Sequence, residues 1–286
     1  MIVIVAPERS LGHRAAAARG ARICGMATED HLAELLAAAE EELAEAGFRT
    51  GDFGPARELL AEALAAAEQA GDLAGRARAL DLLAMVAHYD NITKLMSGHR
   101  VPAQEIDAEE RLFRQALAAW HTAGQRPATG QALFGLGLVY QVLRDDWASA
   151  MPYFWQALEL VDVKDASTGL YLRSEVHRHI GFYFLVADEQ PAEAVRHLQL
   201  SLELREQLGD PRHIPSGQVA LAEAELAAGH RDRAIDLLRA AVVQARESGL
   251  LARRIEDAER ALQEAEAAPD TGTEDPTGRS DSGAVG

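Results

Sequence analysis

The sequence predicts an all-α fold built as an array of about five antiparallel helix pairs, and three observations carry that prediction. Ala, Leu, Glu, Arg and Gln dominate the chain, while aromatic residues are few and no long β-branched run occurs, which is the profile of helix-forming residues. Small residues recur beside large apolar ones at a long, roughly regular interval, as stacked helix pairs require. Clusters of Gly, Pro, Asp and Thr separate these patterns and turn the chain between helices.

Charge and cysteine content narrow the class. A formal net charge of -17 over 286 residues argues against a general nucleic-acid or anionic-membrane binder, because phosphate surfaces attract clustered Lys and Arg. It leaves room for a local basic patch. The single cysteine, Cys24, cannot form an internal disulfide and fits a reducing, cytoplasmic setting. No apolar run reaches the roughly 18 residues a membrane helix needs, and the opening Met1-Ile2-Val3-Ile4-Val5-Ala6 lacks the basic region of a signal peptide.

Taken in order, the chain divides into a leader, a body and a tail. Residues 1–25 carry Arg9, Arg14, Arg19 and Arg22 against one acid, Glu8, and read as a disordered leader or one foreign to the native protein. Met26-Ala27-Thr28-Glu29-Asp30 looks like a fresh helix start, with Thr28 as N-cap and acids in the first turn, so translation is expected to begin at Met26. The body spans 26–268. Residues 269–286, rich in Pro, Asp, Thr, Gly and Ser without apolar periodicity, are expected to be a disordered tail.

Within the body the clearest unit is the third. Leu133, Leu136-Gly137 and Tyr140 fall on a first helix, helix A, while Ala150, Phe154 and Ala157 fall on a second, helix B. The first pair places Leu43-Ala44 and Gly47 before Ala56, Leu60 and Ala63, across the turn Thr50-Gly51-Asp52-Phe53-Gly54-Pro55. The second joins Leu83-Ala84 and Ala87 to Glu109, Phe113 and Ala116 across roughly a dozen extra residues. In the fourth, His177, Ile180-Gly181 and Phe184 precede Ala194, Leu198 and Ser201; in the fifth, Leu221-Ala222 precedes Ala234, Leu238 and Ala241. Leu250 to Ala267 reads as a capping helix.

This pattern resembles the tetratricopeptide repeat (TPR) in its bacterial form. The anchors Ala44, Ala84, Gly137, Gly181 and Ala222 lie 40, 53, 44 and 41 residues apart, against about 34 in the standard repeat. The resemblance covers about 37–268 and implies a right-handed superhelical solenoid with its A helices along a concave face. Their groove positions are then Glu41, Glu42, Glu45 and Phe48, followed by Asp81, Met85, His88 and Tyr89. Gln131, Phe134, Leu138 and Gln141 come next, then Glu175, Arg178, His179, Phe182 and Glu223. Met85, His88, Tyr89, Phe134, Gln141, Glu175, Arg178, His179 and Phe182 form the candidate ligand-binding set, mixed apolar and polar as binding sites are.

Aromatic placement agrees with a central site. Of the 15 Phe, Tyr and Trp residues, 12 lie between Phe113 and Phe184. Phe134, Tyr140, Phe154 and Phe184 suit repeat packing, whereas Trp147, Tyr153, Trp155, Phe182 and Tyr183 are harder to bury together. The extra residues of the second pair, about 94–107, carry Lys94, His99 and Arg100 and are expected to leave the stack as a loop or a lid over the groove, favouring an anionic group on the ligand.

His177 reads as a packing residue and His179 as a groove residue beside Arg178, one turn from Glu175. His88, His179 and Glu175 could gather, but no HExxH, CxxC or paired-His spacing supports a metal site, and none is assigned. His99, His121 and His197 read as exposed. Gly135-Leu136-Gly137 lies in a helix-packing pattern and not in a dinucleotide loop, and phosphate-loop and nucleophile-elbow motifs are missing. No catalytic residue or cofactor is assigned. The expected function is therefore binding: a groove for a peptide or partner protein, or a small-molecule pocket or unusual enzyme site closed by 94–107. Self-association through the terminal repeats is a third reading, with an apolar exposed face on Leu250 to Ala267 as its sign.

Overall fold

A computed structural model describes residues 29–126, 128–161 and 168–268. The expected leader, the start at Met26 and the tail lie outside them. Among the described residues the chain forms eleven α-helices and no strand, as the composition predicts.

Each helix begins and ends on a local signal. α1 (Glu29–Glu45) runs into a π turn, Ala46–Thr50, and stops at Gly51, whose φ of 72° is open to glycine without strain. Pro55 starts α2 (Gly54–Ala70). Asp72 caps α3 (Leu73–Met96) by accepting from the amides of Ala74 and Gly75. Pro102 precedes α4 (Ala103–Thr122), and α5 (Thr129–Leu138) leads into a second π turn, Val139–Leu143. Asp146 caps α6 (Trp147–Leu160) through the Ser149 amide. α7 (Thr168–Phe182) ends in a third π turn, Tyr183–Ala187, before α8 (Pro191–Leu208). α9 (Ile214–Ala227), α10 (Arg231–Glu247) and α11 (Ala252–Ala267) complete the order.

Consecutive helices pack as five pairs, α1 on α2 through α9 on α10, and α11 lies on α10. One apolar core runs through the first four pairs, from Ala39 and Leu43 to Val176 and Ile180, while Ala194, Leu198, Leu202, Ala220, Leu221 and Ala224 join the fourth to the fifth. The predicted small-on-large contacts are present. A Cβ on Gly137 would overlap the buried ring of Phe154, and one on Gly135 would overlap the ring of Phe113 from the preceding pair. The Gly135-Leu136-Gly137 run thus lets α5 approach α4 and α6 at once. Gly181 meets Leu198 in the same way.

The third and fourth pairs repeat in geometry as well as in sequence. Their π turns start at Val139 and Tyr183, each closed by a bond to that residue's carbonyl, from Arg144 at 3.0 Å and Asp188 at 3.1 Å. The positive-φ residues Asp145 and Glu189 follow, and the amides of Asp146 and Gln190 then reach back to Tyr140 and Phe184, both at 2.8 Å. Every step is offset by the interval that separates Gly137 from Gly181.

Two expectations need correction. Residues 94–107 do not leave the stack: α3 extends to Met96 and α4 begins at Ala103, so the extra length lengthens two helices and leaves only Ser97 to Pro102 as a connection. Lys94 pairs with Glu105 across the ends of these helices, Val101 is buried, and His99 and Arg100 face solvent. His197, expected to be exposed, is buried between the rings of Trp155, Phe184 and His177.

A long-range contact is the larger surprise. The π turn of α1 meets the C-terminal elements: Phe48 packs with Ala44, Ala245 and Leu250, and its ring lies 5.2 Å from that of His213. The Leu251 amide donates to the Phe48 carbonyl at 2.9 Å. The first and last pairs are therefore in contact.

Candidate functional site

On α7, Tyr171, Ser174, Glu175, Arg178 and Phe182 recur at the spacing that marks the inward stripe of a helix. That stripe is ordinarily apolar. Here its first four members are polar and buried, so each needs a partner inside the protein.

Their neighbours come from the facing helix α8 and from α3 and α11. Arg205 of α8, fully buried, donates to the Glu175 carboxylate, to the His213 carbonyl at 2.7 Å and to Ser216 Oγ at 2.6 Å. Ser201 Oγ donates to the Ser174 carbonyl at 2.7 Å. The His213 ring stands 5.2 Å from the rings of both Tyr171 and Phe48, and burial beside the Arg205 charge pushes it down to about 3. Tyr89 of α3 and Tyr171 lie close enough to perturb each other, though outside hydrogen-bonding geometry; burial, reinforced by Glu175, raises both phenols. Arg254 of α11 completes the group. Its Nη2 donates to the Gly47 carbonyl at 2.6 Å and its guanidinium lies over the Phe48 ring.

A second polar group lies beside it. His88 Nδ1 is 2.6 Å from a Glu109 oxygen, and Asn91 Nδ2 donates to the other at 2.8 Å, all three buried. Glu109 stands where the repeat pattern places a small residue on helix B. His179 Nδ1 donates to Gln141 Oε1, while Gln141 Nε2 donates to the His179 carbonyl at 2.9 Å. Burial, then the Arg178 charge, holds His179 well below the ordinary imidazole range. Phe134 and Phe154 rings flank it at 5.6 and 5.7 Å.

The expected site residues are thus brought together, but Met85, His88, Tyr89, Phe134, Gln141, Glu175, Arg178 and His179 are buried side chains and Phe182 is half-buried. The expected gathering of His88, His179 and Glu175 does not form, since each bonds elsewhere. Among the described residues no three His, Cys, Asp or Glu side chains stand where they could hold a metal ion. Asp81 binds the Trp120 indole N–H at 3.0 Å, and burial pushes its carboxyl up to about 6.

Arg178 is the distinctive member. Its guanidinium lies 4.7 Å from the Phe182 ring centre, yet Nε and Nη1 have no hydrogen-bond partner. Burial and the Arg205 charge lower it to about 10, so it remains a cation near neutral pH. Glu223 of α9 keeps solvent contact nearby; its surroundings raise the carboxyl above the usual range against the pull of Arg178. Glu175 Oε2, His179 Nε2 and the Nε and Nη1 of Arg254 are also buried without partners. The arrangement suits recognition of an anion. It offers no nucleophile bonded to a base.

No protein-family model and no curated protein matches the chain. Among solved structures it is similar to BtubC (BKLC) from P. vanneervenii, with a TM-score of 0.43 and 17% identity, over 84% of this chain and 93% of that one. So distant a likeness carries no function across.

Sequence reasoning missed Glu109, Tyr171, Arg205, His213 and Arg254. A signal existed for two of them. Glu109 and Arg205 fall on helix-B positions that face a neighbouring helix, where a charged residue must have a buried counterpart. Arg254 carried no such mark, because its partners are residues of α1.

Proposed function

We propose that this chain is a TPR-like helical-repeat protein whose five pairs form a superhelix with its ends in contact, and that it acts by binding a small anionic ligand in its interior. The repeat reading is supported by the Gly137–Phe154 and Gly181–Leu198 contacts and by the recurring π turns. One observation carries the ligand reading: Arg178, buried among A-helix side chains, holds two unpartnered N–H groups beside Glu175, His179 and Phe182. A buried, charged interior favours a small ligand over a peptide lying along an open groove. Arg is suited to carboxylates and phosphates because its planar donors match their oxygens.

Release of bound compounds provides the test. Protein purified without denaturation is denatured and its small-molecule extract compared by mass spectrometry with that from Arg178→Met. A stoichiometric anionic compound that the variant lacks is the expected result. An empty extract from folded wild type, together with no thermal stabilisation by a panel of carboxylates and phosphates, would reject the small-ligand reading.

A further inference from the structure

Where the first and last pairs meet, a pocket of about 230 Å³ opens beside the contact. That exceeds the roughly 150 Å³ of an apolar cavity able to take a benzene ring. Phe53, Tyr89, Ile92, Met96 and Leu251 supply mostly apolar walls, and Arg253 and Arg254 supply the charge. Met96 and Gly51 are exposed at the rim, while Phe53 and Tyr89 are buried at the base, their rings stacked 5.5 Å apart. The pocket is thus lined by apolar side chains together with two cations.

Three features favour an anion beside the two arginines. Arg253 and Arg254 occupy the first turn of α11, where the helix dipole is positive, and the cap residue Leu251 offers no side-chain acceptor. Arg254 is 7% exposed, and its Nε and Nη1 have no partner. Among the described residues the wall holds no carboxylate, and its charged members are the two arginines.

We infer that this pocket binds a medium-chain acyl carboxylate, its chain along Phe53, Ile92, Met96 and Leu251 and its carboxylate at Arg253 and Arg254. The carboxylate gains charge-assisted hydrogen bonds in a partly desolvated place, and the chain removes apolar surface from water. A neutral amphiphile would gain only the second term. The pocket shares Tyr89 and Arg254 with the interior group but does not use Arg178, so it does not rest on the interior reading.

Titration calorimetry of the full chain tests it with octanoate, and with octanol as the neutral match. Octanoate is expected to bind at least tenfold tighter than octanol. Arg253→Gln should weaken octanoate several-fold, and Met96→Asp, which sets a like charge at the rim, should weaken it at least tenfold. Both positions keep solvent contact, so these variants should fold. Arg254→Gln removes a contact to Gly47, and its loss of binding counts only with an unchanged circular dichroism spectrum. Arg178→Met should leave octanoate binding intact, which separates this site from the interior one. Equal binding of octanol and octanoate, no heat with octanoate, or binding that survives both Arg253→Gln and Met96→Asp would overturn the inference.

Discussion

Arg254 Nη2 donates to the carbonyl of Gly47 at 2.6 Å, joining residues 207 positions apart in the chain. The π turn of α1 makes this bond available, because the end of a helix leaves carbonyls without intrahelical donors. Phe48, next in sequence, fills the contact between Ala245, Leu250 and His213.

Phe48→Ala should therefore unfasten the two ends. Its ring is almost fully buried, and truncating a buried Phe costs about 3–5 kcal/mol. Denaturant unfolding should show that loss, and small-angle scattering should show a larger radius of gyration if the pairs spread. An unchanged midpoint would mean that the contact contributes nothing.

Gly137 and Gly47 should respond oppositely to one added methyl. At Gly137 a Cβ would overlap the Phe154 ring, and overpacking costs about 1–3 kcal/mol. At Gly47, which is helical, no atom lies within 4 Å of the added Cβ. Gly47→Ala should be neutral or stabilising by up to about 1 kcal/mol, since alanine narrows the unfolded ensemble. Thermal melts of the two variants side by side check the contrast.

The buried Arg205–Glu175 pair should behave as a unit. Arg205→Met leaves Glu175 as an uncompensated buried charge, for which about 3–5 kcal/mol of destabilisation is expected. The double variant Arg205→Met, Glu175→Met should lose clearly less than the sum of the single variants, because neither member of the pair is left without the other. A double-mutant cycle in urea measures the difference.

Acid should destabilise the fold through its histidines. Burial pushes His177 down to about 4 and His213 to about 3, from an ordinary value of 6.5. Between those limits the unfolded chain binds protons that the folded chain refuses. Their contribution is thus complete above 6.5 and lost as pH falls toward 4. Asp81 opposes this: raised from 3.8 to about 6, it favours the folded state most at low pH and loses that contribution as pH rises through 6. With two imidazoles against one carboxyl, the melting temperature should fall between about pH 7 and about pH 5. His177→Gln should make the fall shallower, and Asp81→Asn should make it steeper.

Much of the fold was legible because local chemistry enforces it. The glycines at 135, 137 and 181 marked close helix approach, and the Thr50 to Pro55 cluster marked a turn. The second pair was misread where its length exceeded the repeat, because a longer helix and a loop insertion look alike when judged by spacing alone. Of the site, the A-helix members could be named, but His197, Arg205 and His213 could not be placed, since their surroundings come from other helices.

The sequence by itself determined that this chain is helical and that its adjacent helices pair, because periodicity and residue size act within a few turns. Only the tertiary structure decided that Tyr89, Glu175, Arg178 and their neighbours are buried together and that the turn after α1 meets α11. How neighbouring pairs are oriented has no local signature in the chain. Whether Phe48 reaches Arg254 depends on how all the intervening helices pack.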